Sequence, residues 1–148
     1  MNTDATEHRL RALLGSQYVG VLTTAGVDGQ PYPNLVAFAV SEDLRTLVFG
    51  TPRSTRKYEN MKQNSRVALL VDNRANEADD TRRATVVTAI GQASELTGEA
   101  RERWLDRLLQ KHPHLADFLR DCNTALLQIE AEKYAVVTSF QDVTVLDV

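Results

Sequence analysis

With 148 residues, 43% of them hydrophobic and 25% charged, the chain has the size and balance of one globular domain spanning 1–148, and neither disorder nor a fibrous repeat fits that composition. A net charge of −3 excludes the broad basic field that draws in nucleic acid, and no apolar run approaches the roughly 18 residues that span a bilayer. A polar, mixed-charge beginning and a single cysteine, Cys122, read as a small semi-buried residue, set the expectation of a cytoplasmic protein with neither nucleic acid nor membrane as partner.

In chain order, Asp4 to Leu14 places Asp4 to cap, Glu7 three residues on, and Leu10, Leu13 and Leu14 at helical spacing, which predicts a short amphipathic helix. Gln17 to Thr24 is rich in β-branched and aromatic residues and runs into Gly26-Val27-Asp28-Gly29, a strand entering a hairpin turn. The return strand, Pro31 to Val40, ends in Leu35-Val36-Ala37-Phe38-Ala39-Val40, apolar on both faces as for a strand covered on both sides. After a turn at Ser41 to Arg45, a third strand spans Thr46 to Gly50. Ser54 to Asn64 predicts a helix of about three turns capped by Ser54 or Thr55, and Val67 to Val71 a fourth strand.

The polar stretch Asp72 to Arg83 lacks an apolar period and reads as a loop long enough to carry function. Ala84 to Ala93 predicts a fifth strand, and Glu99 to Lys111 a helix with Trp104, Leu105, Leu108 and Leu109 on one face. Pro113 interrupts before a short helical piece through Arg120, and three short strands follow at Ala125 to Ile129, Tyr134 to Phe140 and Val143 to Val148. About six or seven strands on short connections, with few helices, predict a mainly β (α+β) barrel or sandwich of antiparallel strands; a parallel sheet would need a helix after nearly every strand.

One segment carries chemistry. In Val48-Phe49-Gly50-Thr51-Pro52-Arg53-Ser54-Thr55-Arg56-Lys57-Tyr58 a strand breaks and hands over to a helix start. Free first-turn amides, the positive end of the helix dipole, the hydroxyls of Thr51, Ser54 and Thr55, and the adjacent cations Arg56 and Lys57 together suit a phosphate. Arg56 can grip two oxygens in a fork while Lys57 adds a point charge. The alternative is that both are ordinary solvated residues of a surface helix. Neither a Walker loop nor a Gly-rich dinucleotide fingerprint occurs. His112 and His114 read as residues of a helix end, His8 as exposed; no carboxylate or cysteine cluster accompanies them, and no metal site is expected.

From about Val19 to Gln92 these pieces follow an order that resembles the flavin-binding split-barrel proteins typified by pyridoxamine 5′-phosphate oxidase. They are the Gly-turn with Asp28-Gly29-Gln30-Pro31, the strand Asn34 to Val40, Phe49-Gly50-Thr51, Thr55-Arg56-Lys57, and Asn64-Ser65-Arg66-Val67-Ala68-Leu69-Leu70. The resemblance implies a split β-barrel that binds flavin mononucleotide (FMN) in a homodimer. By position, the phosphate-gripping pair falls on Arg56 and Lys57 with Thr51 and Thr55 beside them. The strand facing the ring falls on Asn34, Leu35, Val36 and Ala37, next to Phe49 and Gly50. Phe140 and Gln141 are the expected contacts from the second subunit.

The implied function is a flavin-dependent oxidoreductase with a small-molecule substrate or electron donor. The resembled oxidase has a strand glutamine where Val86 stands, and a C-terminal Trp and Arg for its vitamin substrate; without them, pyridoxamine phosphate oxidation itself is not expected. Lys111-His112-Pro113 and Leu126 to Phe140 are similar instead to uncharacterised members and to a haem-degrading branch. A deazaflavin-dependent reductase, a haem-binding or haem-degrading barrel and a non-catalytic flavin-binding module are the alternatives.

Overall fold

The structure, a computed structural model, describes residues 3–139 and 142–148, so the expected partner contacts Phe140 and Gln141 lie outside the described residues. Helix α1 (Thr3–Ser16) leads into β1 (Val19–Ala25), β2 (Pro31–Val40) and β3 (Thr46–Pro52). Then come α2 (Arg56–Gln63), β4 (Arg66–Asp72), the single turn α3 (Asp80–Arg83) and β5 (Val86–Glu95). After α4 (Gly98–Lys111) and a 3-10 turn at Pro113–Leu115, α5 (Ala116–Arg120) precedes β6 (Thr124–Ser139) and β7 (Asp142–Asp147). Among the described residues no helix is long and apolar enough to cross a membrane.

All pairings are antiparallel, in the order β3-β2-β1-β4-β5-β6-β7, and β3 also pairs with β6. That last pairing closes six strands into a barrel, with β7 added along β6. Alternation along each strand decides what fills it. Leu22, Leu69, Ala89 and Tyr134 face each other across four strands and point inward, each at most 1% exposed. Leu10, Leu13 and Leu14 of α1 and Met61 of α2 complete the same core. Each such side chain taken fully out of water contributes about 1.5–3 kcal/mol. A second layer forms where α4 and α5 lay Leu105, Leu108 and Leu119 over Ala39, Val48 and Leu126 on the outer face of β2, β3 and β6.

The three C-terminal strands expected from the sequence are two. Ala125 to Ile129 and Tyr134 onward belong to one 16-residue strand. The polar stretch Glu130 to Lys133 between them holds a bulge instead of a turn. Ile90 pairs with Lys133 and Gly91 with Ala131, leaving Glu132 as the extra residue. The bulge bends β6 so that its first half reaches β3 and its second half reaches β7. Other expectations shift by smaller amounts. Asp4 lies within the first turn of α1 rather than before it, the Asp72 to Arg83 loop ends in the turn α3, and Cys122 is exposed rather than semi-buried.

The expectation that Leu35 to Val40 is covered on both faces holds only at its far end. Ala39 is covered by the second layer, whereas Leu35 is 67% exposed. Leu35 starts an outward-facing row that runs through Val21, Leu70, Thr88 and Ala135 to Val145, one residue per strand from β2 to β7. Val145 at its end is 58% exposed.

Candidate functional site

The phosphate-binding candidate forms where β3 ends. Phe49 points into the barrel core and is fully buried. Gly50 faces outward, where a β-carbon would stand 3.1 Å from Leu119 and 3.3 Å from Thr124, so glycine lets α5 lie close against the strand. Pro52 closes β3, and Thr55 takes the extended backbone of a helix cap, φ −89° and ψ 156°, with its side chain accepting from the amide of Tyr58. The Thr55 hydroxyl donates to the Pro52 carbonyl at 2.9 Å and shares a 3.0 Å hydrogen bond with the Thr51 hydroxyl. Thr51 is fully buried and reaches the site only through Thr55. The cap leaves the amides of Arg56 and Lys57, the first two residues of α2, without a partner inside the helix.

The basic residues of this stretch divide into two kinds. Arg53 is engaged: its guanidinium binds Glu95 at 2.6 Å and the Cys122 carbonyl at 3.0 Å. Arg56 and Lys57 form no ion pair among the described residues. The Arg56 guanidinium stands 5.7 Å over the ring of Tyr32 at the start of β2, and Lys57 is half-buried, its pKa lowered by burial. Two cations without counter-ions at the N-terminus of a helix form a site of positive potential.

A groove of about 590 Å³ opens beside them, between the β1–β2 turn and α2. Gly26, Val27 and Asp28 form one wall; Ser54, Thr55, Arg56, Glu59, Asn60 and Gln63 form the other. The walls are tied together. The amide of Val27 donates to Gln63 at 3.2 Å, and the buried Asn60 donates to the Thr24 hydroxyl at 3.1 Å. A β-carbon on Gly26 would lie 2.8 Å from the Asn60 side-chain oxygen, so only glycine fits at this approach. Asn60 and Gln63 escaped the sequence reading because a polar residue on a polar helix gives no sign of a partner 36 residues away.

Asn34, Leu35, Val36 and Ala37 lie on β2, paired on one side with residues 22 to 19 of β1. On the other side, β2 pairs with β3 only from Phe38 to Val40, and Gly50, Thr51 and Pro52 continue along β6 without a partner on β2. The barrel is split here, and one edge of Asn34 to Ala37 has no ladder partner. Val36 points into the core, Leu35 and Ala37 outward. The structure therefore brings together the free β2 edge, the end of β3 and the α2 start, while the side chains of Val36 and Phe49 pack in the core.

His112 does cap α4, but its ring does not serve the helix-end carbonyls. It is 1% exposed, with Nε2 2.9 Å from the Phe38 carbonyl, so Nε2 carries the proton. Among the described residues no group of His, Cys, Asp and Glu could hold a metal. Burial holds His112 below its ordinary pKa of 6.5 and pushes the neighbouring Lys111, whose Nζ donates to the Leu14 carbonyl at 3.2 Å, down to about 8. Both groups are more readily charged in the unfolded chain. Stability therefore rises with pH between each folded pKa and its unfolded value, and falls as acid enters the His112 window below 6.5. His112→Gln is expected to flatten the acid limb and Lys111→Met the limb above pH 8, each lessening the change of melting temperature with pH within its own window. Melting curves across that range check both, and unchanged slopes would contradict the burial argument.

A family model described as pyridoxamine 5′-phosphate oxidase matches residues 6–138. The chain is 32% identical over 103 residues to the 5a,11a-dehydrotetracycline/5a,11a-dehydrooxytetracycline reductase of Streptomyces rimosus, which covers 68% of this chain and 72% of the relative. A Clostridium acetobutylicum protein related to general stress protein 26, described as of the pyridoxinephosphate oxidase family, superposes with a TM-score of 0.76 at 16% identity, over 99% of this chain and 97% of that one. A haem-binding protein from Mycobacterium smegmatis superposes with a TM-score of 0.83 at 15% identity, over 93% of this chain and only 55% of its own length. Likeness at such identities reports the fold alone. The family match over nearly the whole chain, together with the reductase relative, shows that this chain belongs to the pyridoxamine 5′-phosphate oxidase family.

Proposed function

We propose that the chain binds FMN and works as a flavin-dependent reductase of a small organic molecule. The observation that carries this reading is the pair Arg56 and Lys57, cations without counter-ions among the described residues, at the capped start of α2 beside the free edge of β2. The residues present fit the group. A phosphate with close to two negative charges suits two cations and two unpaired helix amides. The polar edge of the flavin ring needs fixed donors and acceptors, which the unpaired backbone of Asn34 to Ala37 can offer. The reaction class comes from the Streptomyces rimosus relative, a reductase. Val86, where the resembled oxidase has a glutamine, argues against pyridoxamine phosphate as the substrate.

Bound flavin supplies hydride transfer. The chain's own part is to hold the phosphate with Arg56 and Lys57, to align the ring along β2, and to keep the ring against an apolar outer face. The test is the absorbance spectrum of the protein incubated with FMN and then desalted. Flavin bands at about one per subunit, bleached by a nicotinamide donor, support the reading. A Soret band, or retention of a deazaflavin in place of FMN, moves the function to haem or deazaflavin chemistry. Bands that no donor bleaches leave a non-catalytic flavin module.

The same reading includes a homodimer formed through the outer face from Leu35 to Val145. A mostly apolar row across six strands, with Leu35 and Val145 at its ends exposed, is the kind of surface that a second copy covers. Leu35→Asp, placing a charge in that face without touching the core, is expected to shift the protein to monomer in sedimentation and to weaken FMN retention with it. A variant that stays dimeric would remove this face from the proposal.

A further inference from the structure

Glu95, the last residue of β5, receives two strong hydrogen bonds. Arg53 donates to Oε2 at 2.6 Å, and the Tyr58 hydroxyl donates to Oε1 at 2.6 Å. These donors bracket the anion site in sequence. Arg53 belongs to the loop between β3 and α2, and Tyr58 is the third residue of α2, so Thr55, Arg56 and Lys57 lie between two points tied to one carboxylate. The tie crosses the sheet, because β3 and β5 flank β6 on opposite sides: Thr51 pairs with Ala125, and Glu95 with Leu127. Arg53 passes over the start of β6, its amide on the Asn123 carbonyl and its guanidinium on that of Cys122, to reach Glu95.

We infer that Glu95 is the positioning residue of the anion site. It does not belong to the cations that would face a phosphate; it fixes the loop before α2 and the helix's first turn relative to the barrel. It also neutralises Arg53, so that the free charge at the α2 start is that of Arg56 and Lys57. Burial alone would raise its pKa, but the hydrogen bonds from Tyr58 and Arg53 outweigh burial and hold the carboxyl below its ordinary value, in the ionised form that accepts from both. The inference rests on the FMN reading above.

Glutamine at position 95 offers one acceptor oxygen and turns an amide donor toward the second of two donors, so it can satisfy only one of Arg53 and Tyr58. Titration of full-length Glu95→Gln with FMN and with riboflavin, which lacks the phosphate, separates positioning of the anion site from general destabilisation. The expected result is about a tenfold loss of FMN affinity with riboflavin affinity unchanged, and little further loss when Tyr58→Phe is added, since both changes break one network. Equal loss for both ligands would reduce Glu95 to a structural role, and an unchanged FMN affinity would overturn the inference while leaving the FMN site standing. If the unmodified protein shows no preference for FMN over riboflavin, the anion site itself fails, and this inference with it.

Discussion

Replacing Arg56 and Lys57 together with alanine is expected to weaken FMN binding by about 10²- to 10⁴-fold while leaving the barrel folded. A hydrogen bond to a charged group contributes about 1.5–3 kcal/mol, and two such groups removed from one phosphate give a sum of about 3–6 kcal/mol. The exposure of Arg56 places its share at the lower end of that range. The fold is spared because neither side chain forms an ion pair among the described residues and neither belongs to a core cluster; Thr55, which caps α2, is untouched. Equilibrium titration gives the affinity, and a melting curve shows whether the fold survives. A double variant with full affinity would return these residues to the solvated surface of a helix, the other reading their sequence allows.

The largest stability loss is expected from a single methyl group at Gly91. A β-carbon there would lie 2.0 Å from the carbonyl oxygen of Glu130, 2.9 Å from its carbonyl carbon and 3.1 Å from the Cα of Ala131. All three are backbone atoms of β6 at the bulge, so no side-chain rotation relieves the clash. β6 must hold β5 along its length while its first half closes the barrel on β3. Gly91→Ala therefore forces the strands apart where the barrel turns its corner, at a cost of about 3 kcal/mol or more. Gly50→Ala is the control: its nearest neighbours, at 3.1 to 3.4 Å, are ends of the Leu119, Thr124 and Phe118 side chains, which can move, for a loss of about 1 kcal/mol. Chemical denaturation of the two variants compares them, and equal losses would contradict the bulge account.

The errors in reading the sequence share one origin. Glu130 to Lys133 looked like a turn because it is mostly polar, and a bulge also interrupts alternation; only the partner strand shows that one strand bends there and continues. Leu35 to Val40 looked covered on both sides because residue type does not say where the covering helix stops. Arg53 stands in the same basic stretch as Arg56 and Lys57, and nothing near it in the chain marks its pairing with Glu95, 42 residues away. Glu95 and Tyr58 left no signal of their own: a glutamate at the end of a strand and a tyrosine near the start of a helix are ordinary until the fold places them 2.6 Å apart.

What the sequence determined by itself was local. Strand and helix periods, turn glycines, a cap at Ser54 or Thr55 and the adjacent cations Arg56 and Lys57 depend on neighbours a few residues away, and the chain encodes such relations directly. The ordered spacing of those pieces carried the resemblance to the family. The tertiary structure alone decided which strands close the barrel, that the edge of Asn34 to Ala37 lacks a partner, and which cation is neutralised. Each of these is settled by residues far apart in the chain meeting in space, where strand register and the competition between partners, rather than residue type, set the outcome.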